Sequence, residues 1–529
     1  MTSQAEVQKG VTVFTESKKL KRELTLLPLA GVIYFTVCGG SFGVEGLVGM
    51  SGPGLAMVLL IITPLIYSIP TMLMVREMNS MMPVEGGYYH WVKQAFGPFA
   101  GFIAGWMNWV VSWVDVSIYP VLAATYLGHL IPALHEGAVI FGMEFSADML
   151  SWLVGILLIV AITALNIRGA RLTGLVTNWI FIIMMIPLVV MSIFGIISWI
   201  NSGSTPSLPF LADGQNLMGA FSTGLFIVMW NYIGWELPTT AGDEIVNPRR
   251  TYPLAMLLVL VLTIGTYLLP TTAGLFGGAG DNGRYMLWGI EAESEEGIGA
   301  QLSEQGLTET QLAEWGVNPA RDTGWEFPEI ATAIGAKISG EGSPLSVVLG
   351  IAVTFAAVLS MIGLFIGNSL GGTRVPFAMA EDGMMPTWLV KVSGKYGTPF
   401  IAIIVCGVFY AIFSLQAFSF LVVVDVFLNS LVVLAEFAAL WKLRRSHPDL
   451  SRDRVPGGIP GLVLITLGPI AITVLAVVSQ IVEEGWSALG LALAAIALGM
   501  LLYFPIRRWI KPGIPDVDPF AVEPEFEAE

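Results

Sequence analysis

Twelve stretches of this chain are long and apolar enough to cross a lipid bilayer, and that pattern limits the fold more than any other feature. A spanning helix needs about 20 largely apolar residues. Such runs fall at roughly 25–50, 53–77, 98–128, 149–167, 173–200, 216–242, 251–276, 344–370, 399–415, 418–442, 460–483 and 486–509. Of 529 residues, 55% are apolar and 12% charged, and mean hydropathy is +0.74. The expectation is an all-α polytopic membrane protein with twelve transmembrane helices in contact with the lipid bilayer.

Charge placement supplies the orientation. If the N-terminus lies inside, all but three of the 25 lysines and arginines fall on the inner side, the exceptions being Arg284, Arg321 and Lys337. Basic residues concentrate on the cytoplasmic side of membrane proteins, so both termini are expected in the cytoplasm and the protein in the plasma (inner) membrane. The net charge of −15 sits largely outside the membrane body: residues 277–343 carry twelve acidic against three basic side chains. The expected organisation is a cytoplasmic N-terminal segment (1–24), helices one to seven (25–276), an acidic extracytoplasmic loop with short helices of its own (277–343), helices eight to twelve (344–509) and an acidic cytoplasmic tail (510–529). The first 24 residues lack the apolar core and cleavage site of a signal peptide, so the first helix is expected to stay in the mature protein.

Two of the runs are interrupted. The first contains TVCGGSFGVEG (36–46), in which Gly39, Gly40 and Gly43 permit positive backbone angles and close approach of a ligand. The sixth contains MWNYIGWELP (229–238), where Pro238 removes an amide donor and disfavours a helical Leu237. Unwound backbone at membrane depth is tolerated only beside protein or a water-filled cavity. A pair of such interruptions at matching positions of two halves points to the ligand site of a transporter.

Acids inside a bilayer cost roughly 2.5–3.5 kcal/mol each on insertion scales and mark functional sites. Glu45, Asp115, Glu236, Asp425 and Glu436 lie within or near apolar runs, and no lysine or arginine lies deep enough in those runs to neutralise them. The missing positive charge is then a proton, a metal cation or a cationic substrate. Asn108, Ser112, Asp115 and Tyr119 follow steps of four, three and four, so they share one helix face that should meet a cavity. Asp425, Asn429 and Glu436 lie in helix ten without a break nearby and read as an interhelical contact or a proton relay rather than as ligands. Ala356, Ser360, Gly363 and Gly367 form a small-residue face, read as a packing seam. Glu45, Asp115 and Glu236 are the candidates for proton coupling, because a buried acid can exchange a proton for a cation.

Other classes are disfavoured. Cys38 and Cys406 both lie in apolar runs and read as free thiols, leaving no disulfide or zinc framework. His90, His129, His135 and His447 fall in loops or at helix ends, with no paired spacing inside a run. No catalytic residue, cofactor or metal is expected, and no basic patch with interleaved aromatics suggests nucleic acid. The absence of a repeated filter or charged ring disfavours a channel. The sequence does not speak to an accessory subunit.

The segments GGSFGVEG, NWVVSWVDVSIYPVL, AGDEIVNPRRTYP and RVPFAMAEDGMMP, with YGTPF (396–400) and EFAALWKLRR (436–445), resemble the amino acid–polyamine–organocation superfamily across residues 25–509. The branch most similar in flavour holds polyamine uptake transporters. The resemblance implies a LeuT-type 5+5 inverted repeat with two further helices, and discontinuous helices one and six around the site. It implies that amides of Gly39, Gly40, Ser41 and Phe42 and carbonyls of Val228, Trp230 and Asn231 bind an amino-acid substrate. It also implies that Glu45, Asp115 and Glu236 hold the ammonium groups of an amine-bearing one. Two departures stand out. Met184 or an apolar neighbour occupies the place of a helix-five lysine found in several proton-coupled members, and no acid lies at residues 366–368. The expected function is proton-coupled secondary uptake of a cationic amine; the alternative is a neutral amino-acid permease or exchanger whose acids carry only protons.

Overall fold

In the computed structural model, residues 24–509 are described apart from 83, 85, 141, 203–207, 213–214, 290–307, 309, 311–323, 417, 450–452 and 484–486. The expected N-terminal segment (save Leu24) and the acidic tail lie outside the described residues, as does much of the acidic loop.

The first apolar run divides into two helices, α1 (Leu26–Val37) and α2 (Glu45–Ser51). Cys38 is extended at the end of α1, and Gly40 and Gly43 both have φ of 86°. The positive angle explains Gly43, whose side is also closed: a Cβ there would stand 2.7 Å from the Trp230 ring. Next come α3 (Pro53–Met81), α4 (Tyr88–Phe96), α5 (Pro98–Gly128), α6 (Ala147–Ile167) and α7 (Ala170–Ser202). The sixth run is α-helical only as α8 (Leu217–Trp230); a 3-10 segment, Leu237–Glu244, follows after a gap. The remaining helices are α9 (Pro248–Gly274), α10 (Phe327–Ser339), α11 (Pro344–Glu381), α12 (Phe400–Phe413), α13 (Phe418–Ser446), α14 (Gly458–Glu483) and α15 (Ser487–Trp509).

Among the described residues, nine helices are long and apolar enough to cross a membrane, and α1, α8 and α12 are shorter apolar helices. The fold is predominantly helical; beside the helices, Ala138–Ile140 pairs antiparallel with Met143–Phe145 in a small ribbon between α5 and α6. One expectation needs correction. The eighth helix does not stop at residue 370. It runs to Glu381 because its polar insertion is satisfied: fully buried Arg374 donates to Glu244 Oε1 at 2.9 Å and Asn166 Oδ1 at 3.0 Å. The sixth run breaks after Trp230, as its Gly234 and Pro238 lead one to expect.

The centre of the molecule is α5, packed against α11 and α13, with α1 wedged between α7, α9 and α11. The small-residue face of α11 is the seam expected. A Cβ on Gly363 would fall 2.4 Å from the Phe35 ring, and one on Gly367 would fall 2.5 Å from the Phe35 carbonyl oxygen. Such contact lets backbones approach closely where lipid supplies no hydrophobic drive. It fixes the end of α1, and hence the first break, against α11. The Ser360 hydroxyl donates to the Gly39 carbonyl across the same seam.

Candidate functional site

The two breaks abut. Gly234, with φ of 97°, lies so close to α1 that a Cβ would stand 2.3 Å from the Thr36 carbonyl oxygen. Tyr267 of α9 bridges them, donating to Asn231 O at 2.7 Å with Val37 O at 3.4 Å. Around this junction lies a cavity lined by Gly39 and Phe42 of the first break, by Trp230, Asn231, Gly234 and Glu236 of the second, and by α5, α11 and α13. The cavity is small, about 30 Å³.

The face of α5 supplies its polar wall. Asn108, Ser112, Asp115 and Tyr119 all line the cavity, as the spacing requires. Asp115 Oδ1 accepts from the Tyr119 hydroxyl at 2.6 Å, and that hydroxyl accepts from Asn368 Nδ2 of α11 at 2.9 Å. Opposite, α13 contributes Asp425 and Asn429. Asn429 Nδ2 reaches Glu236 Oε1 at 3.5 Å, while neither oxygen of Asp425 has a hydrogen-bond partner among the described residues. Asp115, Glu236 and Asp425 are mutually within electrostatic range. No lysine, arginine or histidine is among the lining residues. Three carboxylates in one low-dielectric space repel one another and lack counter-charge, so the arrangement favours a bound cation or protons.

The expected site residues divide. Gly39, Phe42, Asp115, Tyr119, Trp230, Asn231 and Glu236 line the cavity. Gly40, Ser41, Val228 and Glu45 do not. The Ser41 hydroxyl is spent on the Thr266 carbonyl at 2.7 Å. Glu45 points the other way: its Oε2 accepts from the Gly43 amide at 2.7 Å, its Oε1 from the Phe327 amide at 3.1 Å and the Tyr126 hydroxyl at 3.3 Å. It therefore fastens the start of α10 over the first break. Asp425, Asn429 and Asn368 were not expected among the lining residues. For the first two the signal was their four-residue spacing, which carried no indication of what α13 would face.

Polar contacts close both ends. On the side of α10, the Phe42 ring meets Tyr126 and Phe327 edge-on. His129, just past α5, contacts Glu326 Oε2 at 2.9 Å and Glu329 Oε1 at 2.7 Å. Burial alone would lower this imidazole, but its hydrogen bonds to Glu326 and Glu329 outweigh it and hold the pKa at about 10. At the opposite end, Lys93 Nζ bonds Asp382 Oδ1 at 2.7 Å, Tyr89 donates to the same carboxylate, and Arg444 Nε faces Glu77 Oε1 at 3.5 Å.

The family model described as amino acid permease matches residues 29–284 and 331–502. The polyamine transporter RMV1 of Arabidopsis thaliana is 30% identical over 497 residues, 93% of this chain and 87% of the relative. The polyamine transporter PUT1 of Oryza sativa subsp. japonica is 28% identical over 506 residues, 94% and 82% of the two chains. A protein named as a probable polyamine transporter, also from Arabidopsis thaliana, is 29% identical, with 93% and 87% covered.

Proposed function

Because the chain belongs to the amino acid permease family, whose members here are transporters and not enzymes, we propose that it takes up a cationic amine, a polyamine or cationic amino acid, coupled to protons. The carrying observation is the cavity of Asp115, Glu236 and Asp425 without a basic side chain to balance it. Ammonium groups satisfy such carboxylates by charge-assisted hydrogen bonds, and the aromatic side chains of Trp230 and Phe42 line the same cavity, a setting that suits a cation. The names of the relatives support the same substrate class. Glu45 serves this site indirectly, by holding α10 over it.

In this reading the nine long and three shorter apolar helices form twelve crossings. They take a LeuT-type 5+5 arrangement, discontinuous at the first and sixth, with both termini on the cytoplasmic side of the plasma membrane. Acids that hold protons when the site is empty release them as the amine binds, which couples the two. A second reading, a neutral amino-acid permease or exchanger, has one observation in its favour. The amides of Gly39, Gly40, Ser41 and Phe42 have no hydrogen-bond partner among the described residues, and such a run suits a carboxylate.

Uptake into proteoliposomes under an imposed pH gradient tests the choice. Concentrative uptake of putrescine, spermidine, lysine or arginine that Asp115→Asn abolishes supports the first reading. Saturable leucine or serine uptake indifferent to excess putrescine supports the second and sinks the first.

A further inference from the structure

Asp425 and Asn429 reach the cavity from α13, and the same helix carries a second acid on nearly the same face. Glu436 follows Asn429 by seven residues, two turns, which places it about 10 Å farther along the helix. Eight residues beyond it, Arg444 meets Glu77 near the end of α13. Glu436 thus stands between the cavity, which it does not line, and the face of the molecule that carries Arg444.

Its surroundings are unusual for a structural acid. Glu436 is fully buried, and neither of its carboxylate oxygens has a hydrogen-bond partner among the described residues. The hydroxyls of Tyr67 on α3 and Tyr88 on α4 are likewise buried and without a partner, and both tyrosines lie within electrostatic range of Glu436 and of Glu236. Tyr67 sits in a π-helical turn, Pro64–Ser68, inside α3, a distortion common at functional sites. Tyr252 of α9 faces the same two acids but donates its hydroxyl to Trp235 O at 2.7 Å. The titratable groups facing Glu436 are therefore Glu236, Tyr67, Tyr88 and Tyr252, none of them cationic. From α5, Asp115 faces Glu236 and Asp425 instead.

A bare carboxylate buried without donors or counter-charge is too costly to persist. A packing role would be filled better by an apolar residue, and an interhelical contact would show a partner. We propose that Glu436 is a proton-carrying site separate from the substrate cavity, a station between Glu236 and the face that carries Arg444. When the amine occupies the cavity, the proton leaves the carboxyl of Glu236, which stays behind as a carboxylate paired with the amine. Glu436, protonated at rest, gives up its own proton toward the face that carries Arg444 and takes the Glu236 proton in its place, with the Tyr67 and Tyr88 hydroxyls as the polar groups facing both acids. This rests on the transporter reading above and adds where the coupled proton goes.

Full-length wild type, Glu436→Gln and Glu436→Asp in proteoliposomes decide it, with radiolabelled putrescine as probe, or leucine if wild type carries leucine instead. Two assays are needed: accumulation driven by a pH gradient, and counterflow exchange without one. Glu436→Gln should keep counterflow and lose gradient-driven accumulation down to the level of protein-free vesicles, and Glu436→Asp should restore part of it. Gradient-driven accumulation by Glu436→Gln equal to wild type overturns the proposal. So does equal loss of counterflow and accumulation in both variants while putrescine still raises their melting temperatures, since that places Glu436 in the conformational machinery. Should Glu436→Gln fail to fold, Glu436→Asp decides alone, with selective impairment of gradient-driven accumulation supporting the proposal and unimpaired accumulation overturning it. Failure of the transporter reading shows separately, as wild type that moves neither probe in either assay.

Discussion

Asp425 and Asp115 face one cavity, but only Asp115 is held, by Tyr119. Neutralising Asp425 therefore removes a charge that no protein group compensates. Asp425→Asn should leave the melting temperature of the empty protein unchanged or higher and weaken polyamine binding. The loss expected for one hydrogen bond to a charged group is about 1.5–3 kcal/mol, roughly one to two decades in Kd by calorimetry. Glu45→Gln should behave in the opposite sense: a lower melting temperature, because α10 loses a charged acceptor at its Phe327 amide, with putrescine affinity kept. Loss of affinity with unchanged stability would return Glu45 to the site. These contrasts show what was legible. The polar face of α5 could be read because steps of three and four on a helix fix direction without knowledge of neighbours. Glu45 could not, because its place after a break gives distance along the chain and not the direction in which α2 turns. Asp425 and Asn429 stayed hidden for a related reason: their role depends on α13 packing against α5, a contact between segments far apart in sequence.

Helix boundaries were far more legible than site residues, since the bilayer sets length and polarity from outside. The expected 98–128 coincides with α5, and the break expected at Gly39, Gly40 and Gly43 lies within the observed gap of 38–44. The end of α11 escaped because Arg374 looks like a terminus until its pairing with Glu244 across space is known. The α1–α11 seam makes a prediction of its own. Gly367→Val would drive a side chain into the Phe35 carbonyl and should cost about 1–3 kcal/mol by overpacking, read as a lower melting temperature in detergent; no change would mean α1 is not pressed against α11. At the other closure, His129 has a folded pKa of about 10, above its ordinary 6.5. Its contact with Glu326 and Glu329 therefore contributes stability that is full below pH 6.5, shrinks as pH rises and is gone above about 10. The melting-temperature gap between wild type and His129→Gln should narrow along that course, and a gap that stays constant to pH 11 would refute the pairing.

At the scale of the molecule, the two breaks, the seam and the two closures all enclose one carboxylate-lined space. Membrane insertion makes that space costly, and a cationic solute offsets the cost in a way that a neutral one does not. The proposed proton coupling draws on the same charge deficit, so alkaline media that discharge the pH gradient should suppress uptake; polyamine accumulation unaffected by a protonophore would remove coupling from the account while leaving the site intact. The most direct measurement is the melting temperature of the purified full-length protein titrated with putrescine and, separately, with leucine, since a ligand stabilises the folded state in proportion to its occupancy. Putrescine should raise the melting temperature of wild type, leucine should not, and the putrescine shift should vanish in the Asp115→Asn, Asp425→Asn double variant. Stabilisation by leucine with none by putrescine would contradict the assignment of a cationic substrate.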